Sequence, residues 1–251
     1  MLRLGRILLA CVAAVIARPA GAQPPPPIAL PGIGPHDMRV MVDARAPPWT
    51  ALARLQIAGA ARCTAVLIGP RTALTAAHCL YAARLRGFMP PPSVHILAGY
   101  ARGTFARHTT VTSYRIAAGY DPTRHDATRG ADVAVLTLAD AIVPSAAALQ
   151  LTATPARAGV AIMLGGYSQD RAEVILADPH CRITGAAIDT GGHALLRHSC
   201  AATRGTSGAP LLGRTADGSW RIEGIQVAAR VAQEGGAAVP VATIRALLGG
   251  S

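Results

Sequence analysis

Three short stretches carry residue types that could do covalent chemistry together. The first is Leu74-Thr75-Ala76-Ala77-His78-Cys79, an apolar run that ends in a histidine beside a cysteine. A general base must be held rigidly, and a neighbouring cysteine can tether it through a disulfide. The second is Asp132-Val133-Ala134-Val135-Leu136, where one acid heads a strand-like apolar run. A carboxylate there either closes a turn or is partly buried and needs a hydrogen-bonding or charged partner, which His78 can be. The third is Arg204-Gly205-Thr206-Ser207-Gly208-Ala209-Pro210. Glycines on both sides of the serine permit tight backbone geometry, leave room around the hydroxyl and let backbone N–H groups converge on one point. Each piece alone is commonplace: His78 is one of eight histidines, and a serine between glycines is an ordinary loop. Together they supply a nucleophile, a base to take its proton and an acid to hold the base in the useful tautomer. Asp121 and Asp126 also lie near in sequence, but among Pro, Thr, Arg and His in a loop-like segment, and are weaker candidates for the acid.

The segments Thr75 to Cys79, Asp132 to Leu136 and Gly205 to Pro210 resemble the three signature blocks of the chymotrypsin/trypsin-like serine proteases, in that family's order of His, Asp and Ser. The resemblance runs over residues 37–251, and its detail is most similar to the small secreted bacterial branch that includes the glutamyl endopeptidases. It implies that Ser207 is the nucleophile, His78 the general base and then acid, and Asp132 the orienting carboxylate. It further implies an oxyanion hole made by the backbone N–H groups of Gly205 and Ser207, and peptide-bond hydrolysis through an acyl-enzyme with a polypeptide substrate and no cofactor. The implied fold is all-β, two six-stranded antiparallel β-barrels with the active site in the cleft between them.

Several positions depart from the family pattern. Thr206 stands where trypsin-type enzymes carry the Asp that pairs with a freed N-terminus, so activation through that ion pair is not expected. Ala209 replaces a common Gly, and Thr203 stands where a Cys is usual. Six residues before Ser207 is Ala201, in place of the Asp that selects Arg or Lys, so trypsin specificity is not expected. Gln226 occupies the stretch where glutamyl endopeptidases place a His in the primary pocket. Arg204 could attract an acidic substrate side chain or be a plain exposed loop residue. Ala201, Arg204 and Gln226 are therefore the candidate pocket residues, with the residue preference open.

The elements that must position these groups read as strands. Short apolar runs broken by Gly, Pro, Asp and Thr occur at Cys63–Ile68, Arg71–Thr75, Val94–Ala98, Val111–Ile116 and Val133–Leu138. A second series follows at Val160–Gly165, Glu173–Leu176, Leu195–Ser199, Ala209–Leu212 and Ile222–Val227. Without βα alternation, this argues for barrels or sandwiches. A stretch rich in Ala, Thr and Pro from Pro144 to Ala158 separates the series, which gives an N-terminal barrel over 37–150 and a C-terminal one over 151–251. Only Val241 to Leu248 reads as a helix.

Residues 1–22 read as a secretory signal peptide: basic Arg3 and Arg6, an apolar run from Ile7 to Ile16, and Ala20-Gly21-Ala22 before Gln23. The run is about half of what spans a bilayer, so no membrane association is expected once it is removed. Residues 23–36, with Pro24 to Pro27, read as an extended leader or propeptide. The expected compartment is extracellular or periplasmic and the expected state a monomer. Cys11 leaves with the signal peptide, and Cys63, Cys79, Cys181 and Cys200 remain. An even number in an exported chain favours disulfides. Of three formal pairings, the short separations favour Cys63–Cys79 and Cys181–Cys200, while the lack of Cys-x-x-Cys pairs and clustered His ligands argues against zinc.

The formal net charge is +11, from 24 basic residues against 13 acids, and every basic residue is Arg. Lys and Asn are both absent beside abundant Ala, Arg, Gly and Pro, which points to G/C-rich coding rather than to a polyanionic partner. The arginines are scattered singly and aromatics make up only 4%, so nucleic-acid binding is not expected. Alanine supplies more than fifty residues, so the core must be built from small side chains. Two other readings compete with the endopeptidase: a catalytically silent protease-like binding module at the cell surface, and a polyanion binder driven by net charge.

Overall fold

The computed structural model describes residues 30–231 and 233–250. The predicted signal peptide and the first part of the predicted leader lie outside them. Twelve strands form the frame: β1 (Leu52–Ile57), β2 (Ala61–Gly69), β3 (Thr72–Thr75), β4 (His95–Ala98), β5 (Arg107–Ile116), β6 (Ala134–Leu138), β7 (Ala161–Gly166), β8 (Ile175–Ile188), β9 (Ala194–His198), β10 (Pro210–Arg214), β11 (Trp220–Ala229) and β12 (Gly236–Pro240). The first six close in the order β1-β2-β3-β6-β5-β4, all antiparallel, with Leu52 opposite Val66, Leu74 opposite Val135 and Leu55 opposite Ile96. The second six close in the order β8-β7-β10-β11-β12-β9, with Gly165 opposite Ala177, Ile225 opposite Val239 and Ala187 opposite Leu195. This is the expected pair of six-stranded antiparallel barrels.

Each expected apolar run falls on a strand of one barrel or the other. Two strands lack such a run: β1 carries Arg54 and Gln56, and β12 begins Gly-Ala-Ala. Strand β8 is much longer than its apolar start, because beyond Asp178 it alternates buried and exposed positions around Pro179, His180 and Arg182. Closing a sheet removes its edges, so such weak strands are held by neighbours on both sides. The last helix, α1 (Val241–Gly249), turns Val241, Ile244 and Leu247 inward at helical spacing.

The core is made of small side chains, as the composition requires: Ala51, Ala53, Ala65, Ala73, Ala77 and Ala134 are wholly buried among Leu, Val and Ile. One large buried cluster runs through both barrels. Trp49 packs against Gly165, where an added Cβ would come within 2.4 Å of the indole ring. The short strand Val40–Val42 pairs with β8, tying the start of the described chain to the second barrel. Further back, Gly32 donates its N–H to the Arg230 carbonyl at 2.7 Å, and its carbonyl accepts from the N–H groups of Ala202 (3.2 Å) and Gly235 (3.3 Å).

Candidate active site

His78 sits on a single 3-10 turn (Ala77–Leu80) directly after β3. The Cys63–Cys79 disulfide ties that turn to β2, with the two Cα atoms 6.2 Å apart, and Cys181–Cys200 joins β8 to the segment after β9. Asp132 lies just before β6, the strand that pairs with β3, so sheet pairing alone brings the acid under the histidine. Its carboxylate is fully buried. One oxygen accepts the His78 backbone N–H at 2.8 Å, and the other lies 2.6 Å from His78 Nδ1. A single carboxylate thus fixes both the backbone and the ring of the same residue, with Nδ1 as the donor toward it.

Asp121 and Asp126 are occupied elsewhere. Asp121 caps a 3-10 segment through the Thr123 N–H at 2.9 Å and pairs with Arg124 at 3.0 Å, while Asp126 pairs with Arg129. His125, on the same loop, was not legible as a site residue. Its Nδ1 stands 3.7 Å from the Asp132 carboxylate, and its ring meets His78 edge-on with centroids 5.2 Å apart. Burial holds the His125 imidazole below its usual range, with the Asp132 charge opposing that shift. His78, His125 and Asp132 bring three metal-ligand atoms within 4.8 Å of one another, and the only other such set among the described residues spends two of its members in the Cys63–Cys79 disulfide.

The serine loop is shaped by contacts from the first barrel. Gly205 and Gly208 have φ of 91° and 86°, the left-handed region that favours glycine. A Cβ on Gly205 would lie 2.3 Å from the Tyr167 carbonyl, and one on Gly208 would lie 2.1 Å from the Thr64 carbonyl. Thr64 on β2 organises this junction. Its N–H donates to the Ser207 carbonyl at 2.9 Å, its hydroxyl donates to the Gly205 carbonyl at 3.0 Å and accepts the Tyr167 N–H at 3.0 Å, and its own carbonyl accepts the Thr75 hydroxyl at 2.9 Å. Thr206, where an Asp would be usual, is buried with its hydroxyl bonded to the Thr203 carbonyl.

His78, Gly205, Ser207 and Arg204 line one open cavity of about 560 Å³, with the Cys63–Cys79 disulfide in its wall. Ala201 and Gln226 lie outside it. Ala201 is buried and its N–H donates to Asp178 at 2.8 Å. Gln226 is bound to the serine loop by its backbone, accepting from Gly208 N–H and donating to the Ala209 carbonyl, both at 2.8 Å. Its side chain turns inward, the carbonyl oxygen 2.6 Å from His198 Nε2 and the amide donating to Ala228 O at 3.0 Å. His198 Nδ1 accepts the Cys200 N–H at 3.2 Å, so the imidazole is the neutral Nε2–H tautomer. Neither His198 nor Thr64 stood out in sequence: the first is one histidine among eight, and the second shows only as the residue after a cysteine.

The fold is shared with solved proteases. A Glu endopeptidase in complex with MPD is 21% identical, with a TM-score of 0.68 over 85% of this chain and 96% of the other. The inactive form of the Rv3671c protease is 20% identical, with a TM-score of 0.57 over 79% of this chain and 87% of the other. No curated protein matches the chain. The family model described as Trypsin matches residues 40–247, which contain both barrels and the His78, Asp132 and Ser207 positions, and the chain belongs to the trypsin family.

Proposed function

We propose that the protein is a secreted serine endopeptidase that hydrolyses peptide bonds through an acyl-enzyme on Ser207. The observation that carries this reading is the two-point hold of the buried Asp132 carboxylate on His78, beside a cavity that Ser207 also lines. With Nδ1 donating to Asp132, Nε2 of His78 is the basic nitrogen, and it takes the Ser207 proton as the hydroxyl oxygen attacks the scissile carbonyl. Negative charge then develops on the carbonyl oxygen, which the N–H groups of Gly205 and Ser207 receive; such a donor is worth about 3–4 kcal/mol in related chemistry. Collapse breaks the C–N bond, and the proton held on His78 goes to the leaving amine. Water then repeats the sequence on the ester, with His78 again the base. The left-handed glycines and the Thr64 contacts support the pre-formed shape of the loop that this requires.

Activation needs no ion pair at residue 206, because the Thr206 hydroxyl is already satisfied inside its own loop. The two disulfides suit an oxidising compartment outside the cytosol. Labelling with a fluorophosphonate probe at about pH 8, where a histidine base is neutral, tests the reading. Covalent modification that disappears in Ser207→Ala is expected. A folded, processed protein that takes no label would overturn it in favour of the silent binding module.

A further inference from the structure

We infer that the cavity beside Ser207 is the leaving-group side of the substrate cleft and selects acidic residues after the scissile bond, through Arg62 and Arg204. This inference rests on the protease reading above. The cavity touches the nucleophile, the base and Gly205, but neither Ala201 nor Gln226, the residues equivalent to the walls of the primary pocket. Chain entering it therefore lies across Ser207 from that pocket, on the side that departs as the amine.

Its charge is one-sided. Arg54, Arg62 and Arg204 line it, together with Gln169 and Tyr81, and no Asp or Glu does so among the described residues. Arg62 and Arg204 are exposed at its rim. Arg54 is different: it is 4% exposed on β1, stacks over the Tyr100 ring at 4.2 Å, and bonds Glu173 at 3.1 Å through Nη1. Its Nε is buried and has no partner. The ionised Glu173, which also accepts from the Tyr100 hydroxyl, pairs with Arg54, so Arg62 and Arg204 carry the cavity's net positive charge. A concave site with two exposed guanidinium groups and low-dielectric walls concentrates field on an incoming carboxylate, and guanidinium forks match carboxylate geometry.

The test uses quenched peptides with a randomised residue before the scissile bond and Glu, Gln or Arg at the second and third positions after it. At low ionic strength kcat/KM is expected to fall in the order Glu, Gln, Arg, with Glu about 3- to 10-fold above Gln, and the spread should shrink to about 2-fold or less in 0.5 M NaCl. In the Arg62→Glu, Arg204→Glu double variant the order should reverse. An unchanged Glu preference in that variant, or a flat order in the wild type, overturns the inference. Binding supplies a second readout that is independent of turnover: fluorescent leaving-group peptides carrying Glu should bind the Ser207→Ala protein more tightly than their Gln or Arg counterparts, measured by anisotropy. Equal binding of the three sinks the subsite even if the enzyme is active, whereas ordered binding without any fluorophosphonate labelling sinks the protease reading alone.

Discussion

Acid should destabilise this protein through His198, whose imidazole is 2% exposed at the end of β9. Both ring nitrogens are committed: Nδ1 accepts the Cys200 N–H and Nε2 donates to Gln226. Protonation would put two donors face to face at Nδ1 and place a charge in a site without a counter-ion, and burial pushes the pKa down to about 4. The unfolded chain keeps a histidine near about 6.5. Since the folded value is the lower one, the unfolded state binds the proton first as pH falls, and stability drops between about pH 6.5 and 4. A difference of about 2.5 units corresponds to about 3 kcal/mol. The measurement is urea unfolding from pH 7.5 to 4 with disulfides intact, in a Ser207→Ala background that prevents self-digestion, compared with the same protein carrying His198→Gln. The glutamine variant should start less stable, because a fitted residue has been replaced, yet lose about 3 kcal/mol less over that range. Parallel curves for the two proteins would refute the assignment of a neutral, trapped imidazole.

Two further substitutions probe the site. Asp132→Asn should leave the fold intact and lower kcat by about four orders of magnitude, because an amide at this position no longer holds His78 in the productive tautomer; retention of a tenth of the activity or more would contradict the role given to Asp132. Gly208→Ala should lower stability by about 3 kcal/mol, since it combines a left-handed backbone with a Cβ placed 2.1 Å from the Thr64 carbonyl. A melting temperature within about 2 °C of wild type would show that the loop can relax away from β2.

The sequence exposes strands where apolar residues are contiguous and hides them where burial rests on tertiary contacts. Val133–Leu138 is such a run, and it corresponds to β6 preceded by Asp132. Strand β1 is hidden because Arg54 and Gln56 break its apolar run, and the burial of Arg54 rests on partners from the other barrel, Glu173 and the Ala172 carbonyl. Strand β12 was invisible because small residues pack there only where neighbouring chains approach closely, as at Gly236, where an added Cβ would fall 2.3 Å from the Ala228 carbonyl. The same logic divides the site. His78, Asp132 and Ser207 announce themselves by local context, whereas Thr64, His125, His198 and Arg54 acquire meaning from residues such as Gly205, Asp132, Gln226 and Glu173, 7 to 141 positions away, that the fold delivers to them.

Thr64 has a bearing on how such a molecule can be recombined. It belongs to the first barrel, yet its N–H and its hydroxyl, through three hydrogen bonds, set the path of the second barrel's serine loop and of the chain after β7. The two barrels are therefore not interchangeable cassettes. A chimera that grafts residues 151–251 onto the first barrel of another family member would keep Ser207 but would bend its loop correctly only if the recipient offered a hydroxyl and a free N–H at the position of Thr64. Inheritance of the serine does not by itself bring inheritance of its geometry, which is written in the other half of the chain.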